Sequence, residues 1–191
     1  EYQTAVANLP ANPTEGPLYG IQLHMDLVTL DRSLGDEKAA HEELETAQRE
    51  IGSVDGSGPE QEPFLRLRAL IRMNAGDLDG ALADIKSALA LNSHDRSNLQ
   101  LDGDVLVKLG RLEDAIAAYR QILSKRPDDR FALTSIGYAS RAAGRDEDAE
   151  RYFQRLAQAA PTLYTPYLAL GDLYTARREF TKAQAAYSKG Y

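Results

Sequence analysis

Ala81, Ala115, Ala149 and Ala183 stand at one fixed interval of 34 residues. A period of this size constrains the fold more than any other feature of the chain, because it marks an array of small equivalent units. Other columns keep the same register. Ile85, Tyr119, Phe153 and Tyr187 follow each alanine by four positions, and Ala69, Gly103, Gly137 and Gly171 precede each by twelve. Leu65, Leu99, Leu133 and Tyr167 form a further column. Gly76, Gly110 and Gly144 form another, which Arg178 breaks. Pro127 and Pro161 recur, with Ser93 in the matching place.

One unit, Arg96 to Asp129, shows what the period encodes. Leu99, Leu101, Val105, Leu106 and Leu109 fall at mixed three- and four-residue steps, as on a helix. Gly110 stops that run, since glycine takes the left-handed conformation of a helix end without steric cost. Leu112, Ala115, Ile116, Tyr119, Ile122 and Leu123 give a second helical stripe, which Pro127 closes. Each unit is therefore two helices and a tight turn. Gly103 and Ala115 are small residues on facing helices, so the backbones can approach closely, with Tyr119 supplying bulk beside them. A single hairpin cannot bury both stripes, but stacked neighbours can.

These residues resemble the tetratricopeptide repeat family, whose 34-residue pattern runs large residue, Leu-Gly, Tyr, Ala, Phe, Pro. Ile136-Gly137, Ala149, Phe153 and Pro161 carry the pattern, and so do Leu170-Gly171, Tyr174, Ala183 and Tyr187. The resemblance covers Glu62 to Tyr191. It implies an all-α fold of about ten helices, a right-handed superhelical solenoid of antiparallel helix pairs. It also implies a concave face lined by the first helix of each unit, and a protein-interaction role. The expected units are 62–95, 96–129, 130–163 and a truncated 164–191, in one continuous array.

A degenerate unit is expected within 1–54. Leu27, Gly35, Ala40 and Leu44 reproduce the spacing of Arg68, Gly76, Ala81 and Ile85. Its helices should run from about Pro17 to Ser33 and from about Asp36 to Ile51. Residues 55–61 follow as a flexible loop between units, in a stretch rich in turn formers from Ser53 to Pro59.

Composition narrows the function. No apolar run approaches the roughly 18 residues a membrane span needs, so no direct membrane insertion is expected. The net charge of −7 disfavours a nucleic-acid binder, whose affinity rests on Lys and Arg against phosphate. The absence of cysteine excludes disulfides and thiol chemistry. The chain starts at Glu1 and stops near the end of a second helix, so a fragment of a longer protein is expected.

No catalytic, metal or cofactor-binding residue stands out, so no enzyme activity and no cofactor are expected. His41-Glu42-Glu43 lacks the second histidine, one helical turn on, that a zinc helix needs. Gly56-Ser57-Gly58 lacks the lysine of a phosphate loop. Asp77 and Asp79 suit the start of the next helix better than a calcium loop. One charged column is unusual: Arg68 and Asp102 stand where Ile136 and Leu170 stand later. Residues 34 apart lie on neighbouring first helices, so Arg68 is expected to pair with Asp102, with Arg72 able to join.

The partner-binding candidates are first-helix residues outside the packing columns. They are Arg66, Leu70, Met73 and Asn74; Gln100, Asp104, Val107 and Lys108; Thr134, Tyr138 and Arg141; and Leu168, Asp172 and Thr175. Met25, Thr29 and Arg32 would extend the wall upstream. Leu70, Met73 and Tyr138 suit apolar side chains of a peptide, while Arg66, Lys108 and Arg141 suit carboxylates. A Lys/Asn clamp for chaperone tails, known in some family members, is not reproduced: Arg66, Leu70, Leu101, Phe131 and Ser135 stand at its positions. The expected function is a non-catalytic scaffold that binds a protein or peptide segment in a groove. The alternative is a spacer, assembly arm or regulatory array of a larger protein, including a bacterial envelope or secretion protein.

Overall fold

The computed structural model describes residues 18–190, and in them ten α-helices and no strand. The helices are α1 (Leu18–Leu34), α2 (Glu37–Ile51), α3 (Gln61–Ala75), α4 (Leu78–Leu91), α5 (Arg96–Lys108), α6 (Leu112–Lys125), α7 (Arg130–Ala142), α8 (Asp146–Ala159), α9 (Tyr164–Ala176) and α10 (Phe180–Lys189). Pro17, the expected start of the first helix, lies outside the described residues. The chain falls into two compact units, divided between Ser93 and His94. The first holds the hairpins α1/α2 and α3/α4, with α3 packed on both α1 and α2. The second holds α5/α6, α7/α8 and α9/α10, with α7 packed on α6 and α9 on α8.

Local chemistry sets the hairpins. Asp36, Asp77, Asp95 and Asp129 each accept a backbone N–H of the first turn that follows, which satisfies an otherwise orphaned donor. Asp77 is thus a helix cap and not part of a calcium loop. The turns inside the hairpins need a left-handed residue: Gly76, Gly110 and Gly144 have φ of 88°, 73° and 71°. Between α9 and α10 Arg178 adopts the same conformation, with φ of 61°.

The alanine column marks the tightest crossings. Ala81, Ala115 and Ala149 are fully buried, and Ala183 is 4% exposed. The glycine column serves the facing aromatic ring. A Cβ on Gly103 would sit 2.3 Å from Tyr119 Cε1, one on Gly137 2.4 Å from Phe153 Cε1, and one on Gly171 2.3 Å from Tyr187 Cε1. The ring therefore lies directly on the first helix, so the glycine makes room for the aromatic side chain of the facing helix.

The segment between α2 and α3 carries its own local hydrogen bonds. Ser53 and Val54 N–H donate to Glu50 and Ile51 carbonyls, Ser57 N–H donates to Asp55 Oδ1, and Gly58–Glu60 forms a 3-10 turn that leads into α3. Gly56 lies against the Phe64 ring, 2.3 Å from where its Cβ would be.

Candidate partner-binding face

In the first unit, α3 carries Arg66, Leu70, Met73 and Asn74, all half-buried. Arg66 lies 3.9 Å from Glu62 of its own helix. Asn74 is committed to structure on both sides. Its Nδ2 donates to the Leu70 carbonyl at 2.9 Å, and its Oδ1 accepts from Arg32 Nη1 of α1 at 2.5 Å. Leu70 and Met73 remain as the apolar part of this face. Met25 is no wall residue: α1 packs against both α2 and α3, and Met25 lies inside at 2% exposure.

Arg68 finds its carboxylate within its own hairpin. Its Nε and Nη2 donate to Asp84 Oδ2 and Oδ1 of α4 at 2.8 and 2.7 Å, a bidentate pair. Arg72 adds a bond from Nη1 to Asp84 Oδ2 at 2.8 Å and another to the Gly80 carbonyl. Arg68 thus has a carboxylate partner, Asp84, that the column comparison with Asp102 did not point to. The antiparallel helix of the same hairpin presents Asp84 directly opposite, and one buried carboxylate neutralises two half-exposed guanidinium groups. Asp84 was missed by sequence reading, although its column otherwise holds Ala118, Tyr152 and Ala186.

In the second unit the candidate residues lie on α5, α7 and α9, and one column organises them. Asp104, Tyr138 and Asp172 stand 34 apart, and each meets the aromatic of its own second helix. Tyr119 Oη donates to Asp104 Oδ1 at 2.7 Å, and Tyr187 Oη donates to Asp172 Oδ1 at 2.8 Å. In the middle hairpin Phe153 has no hydroxyl, and its partner is Tyr138, ring edge to ring face with centroids 5.1 Å apart. A tyrosine thus goes with an aspartate and a phenylalanine with an aromatic. That pairing was legible in the columns and was not read there. Burial pushes the Asp104 carboxyl above its ordinary value, while the Tyr119 hydroxyl and the Lys108 ammonium pull it part of the way back. Burial and the same hydrogen bond push the Tyr119 phenol up as well.

Around this column the remaining candidates divide by what they touch. Gln100 accepts from Arg96 Nη1 at 3.2 Å, and the Thr134 hydroxyl donates to the Arg130 carbonyl at 2.7 Å. Thr175 donates to the Gly171 carbonyl at 2.8 Å. Arg141 Nη1 lies 4.0 Å from Asp172 Oδ2 and so links α7 to α9. Val107, Tyr138 and Leu168 are 40%, 44% and 44% exposed, large apolar side chains held at the surface. Lys108 is exposed. The unit therefore brings an exposed apolar set together with fixed carboxylates, one guanidinium and one ammonium.

His41 is exposed and lies 3.3 Å from Glu45. His24 is held by Glu43 at 2.6 Å and approached by Glu50 at 3.8 Å. Among the described residues no group of three His, Asp or Glu side chains could hold a metal ion, and no helix is long and apolar enough to cross a membrane.

A tetratricopeptide repeat family model matches residues 102–163. No curated protein matches the sequence. The fold is similar to that of solved structures at low identity. MamA in its crystal structure has a TM-score of 0.70 and 17% identity, over 82% of this chain and 91% of that one. A tetratricopeptide repeat protein from Parabacteroides merdae has a TM-score of 0.65 and 20% identity, over 89% of this chain and 65% of that one. A thermophilic protein of the same repeat type from Thermus thermophilus has a TM-score of 0.64 and 19% identity, over 89% of both chains. Residues 102–163 thus match the tetratricopeptide repeat family, and the described helical hairpins share the fold of solved tetratricopeptide repeat proteins.

Proposed function

We propose that the first-helix face of the second unit docks an extended segment of another protein. Tetratricopeptide repeat proteins in general bind proteins or peptides, which supports an interaction scaffold. One observation carries the finer reading: Val107, Tyr138 and Leu168 are kept exposed on three successive first helices, beside carboxylates that tyrosines hold in place. Exposed apolar side chains grouped this way mark an interaction surface. Preset carboxylates fit the purpose, because a group already oriented loses less entropy on binding. The segment that fits has apolar side chains for Tyr138 and Leu168 and donors for Asp104 and Asp172. Arg141 and Lys108 add contacts for a carboxylate or a backbone carbonyl.

Parallel captures from host extract test this reading. Wild-type protein is compared with Tyr138→Ala/Leu168→Ala and with Gln121→Ala, an exposed residue of α6 off the face. A protein retained by wild type and Gln121→Ala but lost from the double variant, with helical content unchanged, supports it. Identical capture profiles for all three would sink it and leave a spacer role.

A further inference from the structure

We propose that the cleft between α8 and α10 receives a tyrosine side chain from a partner polypeptide. The second unit shows the fit one period earlier, where the matching cleft is occupied from within. There Tyr152 of α8 bridges to α6 and is buried, at 8% exposure. Arg120 of α6 donates from Nε to Tyr152 Oη at 3.1 Å. The guanidinium carbons of Arg120 and Arg155 stand 6.0 and 5.7 Å from the ring centroid, within reach of its negative face. A tyrosine between two second helices, with its hydroxyl bonded and cations beside its ring, is thus a contact this architecture already makes.

One period further on the same places are emptied of bulk. Ala186 stands for Tyr152, Ala185 for Arg151 and Ala157 for Leu123. A hollow of about 430 Å³ opens as a result, walled by α8, α9 and α10. Its aromatic and apolar lining comes from Tyr167, Leu170 and Tyr174. Both tyrosines are held in place: Tyr167 Oη donates to the Pro161 carbonyl at 3.1 Å, and Tyr174 Oη donates to Glu150 Oε1 at 2.7 Å. An entering ring meets theirs without first ordering them, and aromatic pairs add to the area they bury.

The polar ends correspond as well. Lys189 takes the place of Arg155, so a cation again stands beside the ring position. Gln154 takes the place of Arg120. Its Nε2 donates to Glu150 Oε1 at 3.1 Å, so its amide oxygen is the atom set to accept a phenol proton. The hollow is concave and mostly apolar, with a few polar groups at its edge, as a site for one aromatic group should be. It lies between successive second helices, apart from the first-helix face that holds Tyr138, so it goes beyond the groove reading and does not rest on it.

NMR of the whole chain with isotope-labelled alanine methyl groups tests the proposal. The probes are p-cresol, which is the tyrosine side chain alone, and acetyl-Gly-Tyr-Gly-amide, with acetyl-Gly-Ala-Gly-amide as control. The first two should shift the Ala157, Ala185 and Ala186 methyl signals and saturate in the low millimolar range, as fits a ligand of few atoms. The alanine peptide should leave them in place. Ala186→Tyr and Ala157→Leu restore the bulk of the preceding cleft, and each should weaken binding of both probes at least about tenfold. Tyr138→Ala/Leu168→Ala should bind them as wild type does. Circular dichroism checks that every variant folds. Alanine signals that stay in place at all probe concentrations overturn the proposal. So does wild-type binding by both cleft-filling variants, or loss of binding in Tyr138→Ala/Leu168→Ala. A response to p-cresol without one to the tyrosine peptide overturns it too, because the cleft would then take a free phenol and not a polypeptide.

Discussion

Tyr119 reaches across the α5/α6 hairpin and donates its hydroxyl proton to Asp104 Oδ1 at 2.7 Å. The bond joins a buried tyrosine to a half-buried carboxylate, and a hydrogen bond to a charged acceptor contributes about 1.5–3 kcal/mol. Tyr119→Phe should therefore lower stability by about 1–2 kcal/mol, part of the loss being recovered by water at Asp104. Asp104→Leu/Tyr119→Phe should restore most of it, because replacing both partners leaves no unmatched polar group. The chain already uses an apolar pair in these columns, with Leu70 and Ile85. Urea unfolding of the two single variants and the double variant checks the cycle. Strictly additive losses would show that the two side chains do not depend on each other.

The pH dependence has two opposed contributions. Burial pushes the Asp129 carboxyl up, but hydrogen bonds from Arg96 and from the Ala132 N–H, with the nearby positive charges, bring it below its ordinary value. A lowered folded pKa means the unfolded chain binds more protons in that window, so stability rises with pH there. Asp129 therefore adds stability that is fully present above the ordinary carboxylate value of about 4 and is lost as pH falls through the lowered one. Asp104 has the opposite sign: its raised value makes its contribution fall as pH rises from the ordinary value through the raised one. Asp129→Asn should flatten the acid limb of a stability–pH curve, and Asp104→Asn should steepen it. The same limb in wild type and Asp129→Asn would show that Arg96 does not set it.

Gly137 and Gly20 are both helical glycines, yet alanine should act on them in opposite directions. A methyl group at Gly137 would meet the Phe153 ring at 2.4 Å, and the ring is fully buried with no room to withdraw. Overpacking of this kind costs about 1–3 kcal/mol. At Gly20 no atom lies within 4 Å of the new Cβ, so Gly20→Ala should gain about 0.5–1 kcal/mol from helix propensity alone. Melting temperatures of the two variants against wild type decide this. A neutral Gly137→Ala would mean that the hairpin opens more easily than its packing implies.

Asp84 holds two guanidinium groups, so its loss should exceed that of an ordinary surface pair. The carboxylate is 7% exposed at its side chain, while Arg68 and Arg72 are 33% and 36% exposed. Solvent can therefore reach the arginines once the acid is gone, which keeps the cost of Asp84→Ala to about 2 kcal/mol and below that of a fully buried pair. Asp84→Ala/Arg68→Leu should recover part of it by removing one stranded charge beside Phe64. Chemical denaturation of the variants measures both.

How much of this was visible in the sequence depends on the range of each contact. The alanine and glycine columns were legible because each repeats a backbone approach at a fixed period, so that every unit restates the same signal. Helix ends were legible for a local reason, since Asp77 and Gly76 act within one turn of themselves. The Arg68 pairing was not legible from the period. Columns compare residues 34 apart, whereas Asp84 lies across the hairpin and 16 residues away. A buried carboxylate in a column of Ala118, Tyr152 and Ala186 was the available clue. The wall was legible as a set of positions but not as a set of commitments. Asn74, Gln100 and Thr134 face outward by register and still spend their polar atoms on neighbours, which only atomic distances reveal.

Arg178 closes the α9/α10 turn in a conformation that L-residues avoid. The turn requires it: with φ at 61°, Glu179 N–H reaches the Tyr174 carbonyl at 2.8 Å and Arg178 N–H reaches that of Thr175 at 3.0 Å. The same two bonds form at Gly144, from Arg145 to Ser140 at 2.8 Å and from Gly144 to Arg141 at 3.0 Å. The geometry is therefore shared and only the residue differs. A side chain in the left-handed region costs about 1–2 kcal/mol, while glycine adds freedom to the unfolded chain that offsets part of this. Arg178→Gly should raise stability by about 0.5–1 kcal/mol, and Gly144→Arg should lower it by a similar amount. Differential scanning calorimetry of the two variants reads the signs directly. If both midpoints moved the same way, the turn would not be the seat of the strain, and Arg178 would have to be stabilised by contacts of its side chain.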